Sequence, residues 1–142
     1  MNGRVRAGLS AVVALALAGG VPALGKGSQS GVYSAAQADE GAQVYAVRCA
    51  MCHGTRLEGT VETPGLVGKF VANWAGRPVG DLFDYLARAM PQGSPGTLGS
   101  QDNARLVAFI LRANGAPAGD APLPADGATL RRITFDSAGP EN

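Results

Sequence analysis

The stretch Cys49-Ala50-Met51-Cys52-His53 most constrains this chain, because its two cysteines and its one histidine all lie there. Two thiols separated by two residues, followed at once by an imidazole, form the attachment pattern of a c-type haem. Each thiol can add across one vinyl group of the porphyrin. A tight turn sets the two sulfurs at the two vinyl positions, and the histidine then falls over the iron as proximal ligand. Other uses of these residues ask for partners that the chain lacks. A redox Cys-x-x-Cys expects a thioredoxin-like βαβ context, and the flanks here read helical. A structural zinc ion needs four ligands, and no further Cys or His is present. A disulfide would close a short, strained ring and leave His53 without a role.

A length of 142 residues bounds the chain to one folded domain. With 6% aromatic residues, 21 glycines and 9 prolines it is loop-rich and thin in large core side chains. One covalently bound haem c would supply the missing apolar volume, the kind of staple that small domains need.

Residues 1–25 read as a secretory signal peptide. Arg4 and Arg6 make a basic leader, and an apolar run from Ala7 to Leu24 follows. Cleavage is expected near Gly25, in preference to Ala36-Gln37-Ala38, because Ser34 with Gln37 reads as a capping box that the later cut would destroy. An uncleaved anchor helix is the alternative, on a run barely long enough to span a bilayer. Membrane attachment is therefore expected only if this segment is retained. Export suits the motif, since haem is attached to such chains outside the cytoplasm, and a periplasmic location is expected. Losing Arg4 and Arg6 from twelve basic side chains leaves ten against eleven acidic ones. That balance excludes a nucleic-acid or polybasic membrane role and gives weak long-range steering.

A short linker spans 26–33, a folded domain 34–115, and a Pro/Ala/Gly-rich extended tail 116–142. Within the domain, Gly41, Val44, Tyr45 and Arg48 recur at helical spacing from Ser34 to Arg48. A short helical turn is expected from Leu66 to about Asn73. An amphipathic helix follows from Val79 to Ala89, with Leu82, Phe83, Tyr85, Leu86 and Ala89 as its apolar positions. A third major helix starts with Ser100 as cap and closes at Asn114-Gly115. Of the tail, Leu130-Arg131-Arg132-Ile133 either packs on the body or floats free.

The second axial ligand follows by elimination. No second histidine exists, Met1 leaves with the leader, and Met51 lies between the tethering cysteines. Met90 remains, at the end of a helix and ahead of a loop that Pro91 and Pro95 stiffen. The alternative, Met90 as a core filler beside a five-coordinate iron, stays open here.

The chain resembles the class I c-type cytochromes from about Tyr33 to Gly119. The similarity lies in Tyr45 to His53 with Gly54, Pro64-Gly65-Leu66, Phe70 with Trp74, Gly80 to Leu86, Met90-Pro91 with Pro95-Gly96, and Ala113-Asn114-Gly115. Within the class it is similar to the small cytochromes that serve quinoprotein (PQQ) alcohol dehydrogenases. The resemblance implies an all-α cytochrome c fold, three to five helices wrapped around one covalent haem. It implies that the Pro64 carbonyl accepts the second N–H of His53 and that Gly41 and Tyr45 cross the C-terminal helix near Phe109. It also implies that Trp74 and Arg77 meet a haem propionate, with ordinary packing and a solvated charge as their competing roles.

An iron held by His53 and Met90 has no open position, so the expected function is single-electron transfer without catalysis. Expected partners are a dehydrogenase donor and an oxidase or cytochrome acceptor. The alternative is a haem enzyme or ligand sensor in which Met90 dissociates to open the iron.

Overall fold

The computed structural model describes residues 31–135. The leader, its cleavage point near Gly25 and the first residues of the linker lie outside the described residues. Six helices occur within them: α1 (Ala35–Arg48), α2 (Ala50–His53), α3 (Lys69–Trp74), α4 (Val79–Ala89), α5 (Ser100–Ala113) and α6 (Gly127–Leu130). No strand forms among these residues, and two isolated bridges, Ser34 with Gly119 and Pro78 with Thr134, are the only β-type pairing. The fold is all-α. No described helix is long and apolar enough to cross a membrane.

Ser34 starts α1 with extended backbone and an Oγ that accepts from the Gln37 amide at 3.2 Å. The expected capping box is only half made. The Gln37 side chain does not turn back to Ser34; it donates to the Leu123 carbonyl at 2.8 Å and accepts from the Leu123 amide at 2.7 Å. A buried amide paired on both sides gains more there than at a solvated helix end. For α5 the expected cap shifts by one residue. Gly99 takes the extended cap conformation, and Ser100 is the first helical residue. The C-terminus of α5 is closed as expected. Gly115 has φ 85°, the Ala116 amide reaches Leu111 O and the Gly115 amide reaches Arg112 O, both at 3.0 Å.

The most extensive helix pair is α1 against α5. Gly41 makes it possible: a Cβ there would lie 1.9 Å from the Arg105 carbonyl oxygen and 2.9 Å from Phe109 Cβ. Beside this gap the Tyr45 ring packs tilted against Phe109, with ring centroids 5.2 Å apart. Ion pairs flank the crossing, Arg105 with Glu40 at 2.7 Å and Arg112 with Asp39 at 2.6 Å. They are half exposed and fix register more than they stabilise. Leu106, Val107, Ile110 and Leu111 of α5 and Leu82 and Phe83 of α4 fill the core.

The stretch after residue 115 differs from an extended tail. Its Leu123, Leu130 and Phe135 are buried, and α6 packs on α4. Average composition there is polar and Pro/Gly-rich, but three large apolar side chains at wide spacing are enough to dock an irregular segment.

Gly41→Ala is expected to force α1 and α5 apart and to cost about 3 kcal/mol as an overpacked backbone contact. Gly93→Ala, where an added Cβ meets nothing within 4 Å, should stay within about 0.5 kcal/mol of the parent. Denaturant unfolding of the two variants against the parent checks both.

Candidate functional site

The candidate residues sit where α1 breaks. Cys49 ends α1 with φ −128° and ψ −34°, and Ala50–His53 then makes one separate turn, α2. The Cys52 and His53 amides both return to the Cys49 carbonyl, at 3.1 and 2.9 Å. Both thiols are free, Cys49 half-buried and Cys52 exposed. Among the described residues no cluster of three or more His, Cys, Asp or Glu side chains converges as a metal site.

His53 is oriented from outside its own turn. Its Nδ1 lies 2.8 Å from the Pro64 carbonyl oxygen. A carbonyl only accepts, so Nδ1 carries the proton and Nε2 keeps a lone pair for a metal. The loop that brings Pro64 back is anchored at both ends. Leu57 is buried with φ 61°, its carbonyl accepts from the Leu66 amide at 2.8 Å, and the Gly59 amide reaches the His53 carbonyl at 2.7 Å. Asn114, at the end of α5, donates to the Leu66 carbonyl at 2.9 Å.

Tyr45 pins the other side of the turn, donating its hydroxyl to the Gly54 carbonyl at 2.6 Å. Burial raises this hydroxyl to about 12, and Cys49 and Glu58 add in the same direction. Burial also pushes the Cys49 thiol up, against the opposing pull of Arg48. The expectation for Tyr45 concerned its ring; the hydroxyl was the part that mattered for the site. The available signal was the residue type, since a core tyrosine needs a partner for its O–H.

Met90 caps α4 with extended backbone, its amide on the Leu86 carbonyl at 3.1 Å, and it packs half-buried on the core. The loop it opens is tied back to α1. Arg48 donates to Thr97 Oγ1 at 2.8 Å, and Thr97 donates to the Ser94 carbonyl at 2.8 Å. One residue before Cys49 therefore holds the loop that Met90 begins. Helical spacing places Arg48 on α1 without revealing this bond, because its partner lies 49 positions away.

Trp74 and Arg77 come together at a second corner. The guanidinium sits 4.6 Å from the indole centroid, and Arg77 also pairs with Asp81 at 3.2 Å. Phe70 and Tyr85 flank the indole, each with its ring centroid 5.9 Å away. The hydrogen bonds of this corner run to α4 and the C-terminal segment, and none reaches the Cys49–His53 turn.

Chemically, two free thiols on one turn, an imidazole with a fixed free Nε2 and a thioether on a braced loop are the donor set that a covalently tethered, axially ligated haem requires. The half-buried Leu66, Val67, Phe70 and Trp74 add apolar surface of the kind a porphyrin covers. The residues fit the group.

Comparison with known proteins gives two findings. A family described as cytochrome c oxidase, cbb3-type, subunit III, matches residues 36–110, more than half of the chain. The crystal structure of the sulfane dehydrogenase SoxCD from Paracoccus pantotrophus contains a similar chain, 26% identical, with a TM-score of 0.49. That match covers 72% of this chain and 53% of the other, so this chain spans about half the length of that relative. No curated protein sequence matches significantly.

Tyr45→Phe is expected to cost about 1–2 kcal/mol at neutral pH by leaving the Gly54 carbonyl unpaired. A hydroxyl held neutral to about pH 12 rather than 10 contributes stability that is complete below pH 10 and is lost between pH 10 and 12. Thermal melts across that range should show a shallower alkaline decline in the variant; the raised Tyr33 hydroxyl keeps the residual slope.

Proposed function

Because the chain belongs to the cytochrome c oxidase, cbb3-type, subunit III family and is a class I c-type cytochrome, we propose that it carries single electrons on one haem tethered by Cys49 and Cys52, with His53 and Met90 as axial ligands. Haem-based electron transfer is the chemistry of the family. The haem, when bound, supplies the one-electron couple of its iron. The chain's own residues do the rest. Two thiols anchor the ring edge, and Pro64 holds the His53 imidazole in the tautomer that leaves Nε2 free. Met90 offers a soft thioether, which raises the potential relative to a second imidazole. Arg48 and Thr97 brace its loop, which favours a carrier over a sensor whose methionine leaves. Trp74 and Arg77 are assigned to the propionates.

The observation that carries this reading is the His53–Pro64 contact, because it is required of an axial imidazole and a disulfide or redox Cys-x-x-Cys has no need of it. Val47 and Met51 are 81% and 94% exposed beside the tether, leaving that edge open to a redox partner. The basic leader and apolar run support export to the periplasm, and the folded domain takes in the packed segment after residue 115 as well as 34–115. A dehydrogenase, such as a quinoprotein, suits the donor on sequence similarity. The acceptor is then an oxidase or another cytochrome, and the protein is a carrier or a subunit of an oxidoreductase complex.

The haem is expected to stay with the chain through denaturation and acid–organic extraction; its release as free haem would end the proposal. Met90→Ala should lower the reduction potential, make the reduced iron bind carbon monoxide, and cost about 2 kcal/mol in stability. Met51→Leu, at a fully exposed position, should alter none of these. If the Met90 variant keeps its potential and refuses carbon monoxide, another group holds the iron.

A further inference from the structure

The segment after α5 lies beyond the residues that the family model matches, yet it is stitched into the fold along its length. It leaves α5 beside the start of α1, where Tyr33 donates to the Ala116 carbonyl at 2.6 Å and the Gly119 amide reaches the Tyr33 carbonyl at 2.7 Å. Gln37 grips Leu123 through both of its amide atoms. Asp126 caps α6, which then lies on α4 so closely that a Cβ at Gly80 would sit 2.7 Å from the Gly127 carbonyl oxygen. Arg131 pairs with Asp84. The last described residues run antiparallel to the entry of α4: the Val79 amide donates to Ile133 O at 2.8 Å, the Phe135 amide to Arg77 O at 2.8 Å, and the Gly76 amide to Phe135 O at 3.1 Å.

The segment thus ends on the corner that carries Trp74 and Arg77. With six residues, α3 is too short to stand alone. From α4 it receives the Tyr85 ring against the indole, and Asp81 pairs with Arg77; among the described residues no helix packs extensively against it. Its Phe70 meets the buried Phe135 ring edge-on at 6.3 Å, and the turn that follows Trp74 is hydrogen-bonded to the Phe135 backbone on both sides. Phe135 therefore supplies an apolar partner for Phe70 at the start of α3 and the backbone partners of the turn that follows it.

We propose that Phe135 is a positioning residue: the C-terminal segment is a strap that holds the Trp74–Arg77 pair in place and through it tunes the reduction potential. The second part rests on the reading that Arg77 faces a propionate. A guanidinium there offsets the propionate charge and disfavours the oxidised iron, so releasing it should favour oxidation.

The full-length holoprotein offers a direct probe, since Trp74 is the chain's single tryptophan and a nearby haem quenches its emission. Phe135→Ala should raise Trp74 emission several-fold and lower the ratio of reduced to oxidised protein at fixed ambient potential several-fold, with the haem still covalently attached. Phe135→Leu, which keeps apolar burial without the ring, should give smaller changes in the same directions and covers the case in which the alanine variant does not fold. Arg77→Gln, with the strap intact, should lower the ratio while leaving emission low. Unchanged emission in the folded Phe135 variants overturns the strap, whatever happens to their melting temperature. If emission rises but neither Phe135→Ala nor Arg77→Gln alters the ratio, positioning stands and the assignment of Arg77 to a propionate fails. If Arg77→Gln alone alters it, the claim that the strap tunes the potential is overturned.

Discussion

At Gly41 the backbones of α1 and α5 come so close that a single methyl group has no room. That approach sets the position of everything near the Cys-x-x-Cys-His turn. One helical turn after Gly41, the Tyr45 ring rests on Phe109 of the facing helix, and its hydroxyl holds the Gly54 carbonyl beyond His53. At the far end of α5, Asn114 holds Leu66, two residues after the proline whose carbonyl orients the imidazole. The same helix pair thus steadies His53 from both directions. A loosened crossing would be felt at His53 Nε2 before it was felt at the surface.

The loop between these two anchors is bought with backbone strain at one position. Leu57 adopts a left-handed conformation that costs a non-glycine residue about 1–2 kcal/mol. Burial of its side chain returns about 2 kcal/mol. A glycine at that position would relieve the strain and lose the anchor, so the exchange favours leucine. The result is a reversal tight enough for the chain to leave His53 and return to it within eleven residues.

Much of this was legible in the residues, and the exceptions share a cause. Helix α4 runs from Val79 to Ala89 as its apolar spacing indicates, because the period that buries Leu82, Phe83 and Leu86 is a local property. Gly41 beside Tyr45, and glycine after Asn114, are also local signals with local meanings. Gln37, Arg48 and the tail escaped because their partners lie 86, 49 and, for Arg131 of the tail, 47 residues away in the chain. A glutamine three residues after a serine looks the same whether it closes a capping box or clamps a distant carbonyl. Phe135 left only a weak trace, a lone aromatic in a Pro/Gly-rich stretch. Trp74 and Arg77 meet each other, and the link from them to the Cys49–His53 turn is the part that rests on similarity.

The reach of those hydrogen bonds has a consequence for the order in which the molecule assembles. Tyr33 and Gln37 find their partners 83 and 86 residues downstream, and Glu40 finds Arg105 after 65. Contacts of such separation form late, because the intervening loop must be closed before any of them is gained. A chain emerging from its N-terminus therefore presents Cys49 and Cys52 while α5 and the strap are still unmade. Both thiols are then open to water. Closure of the fold half-buries Cys49 and pushes its thiol up, while Cys52 stays exposed, so the two anchors differ in access to solvent only once the fold has closed.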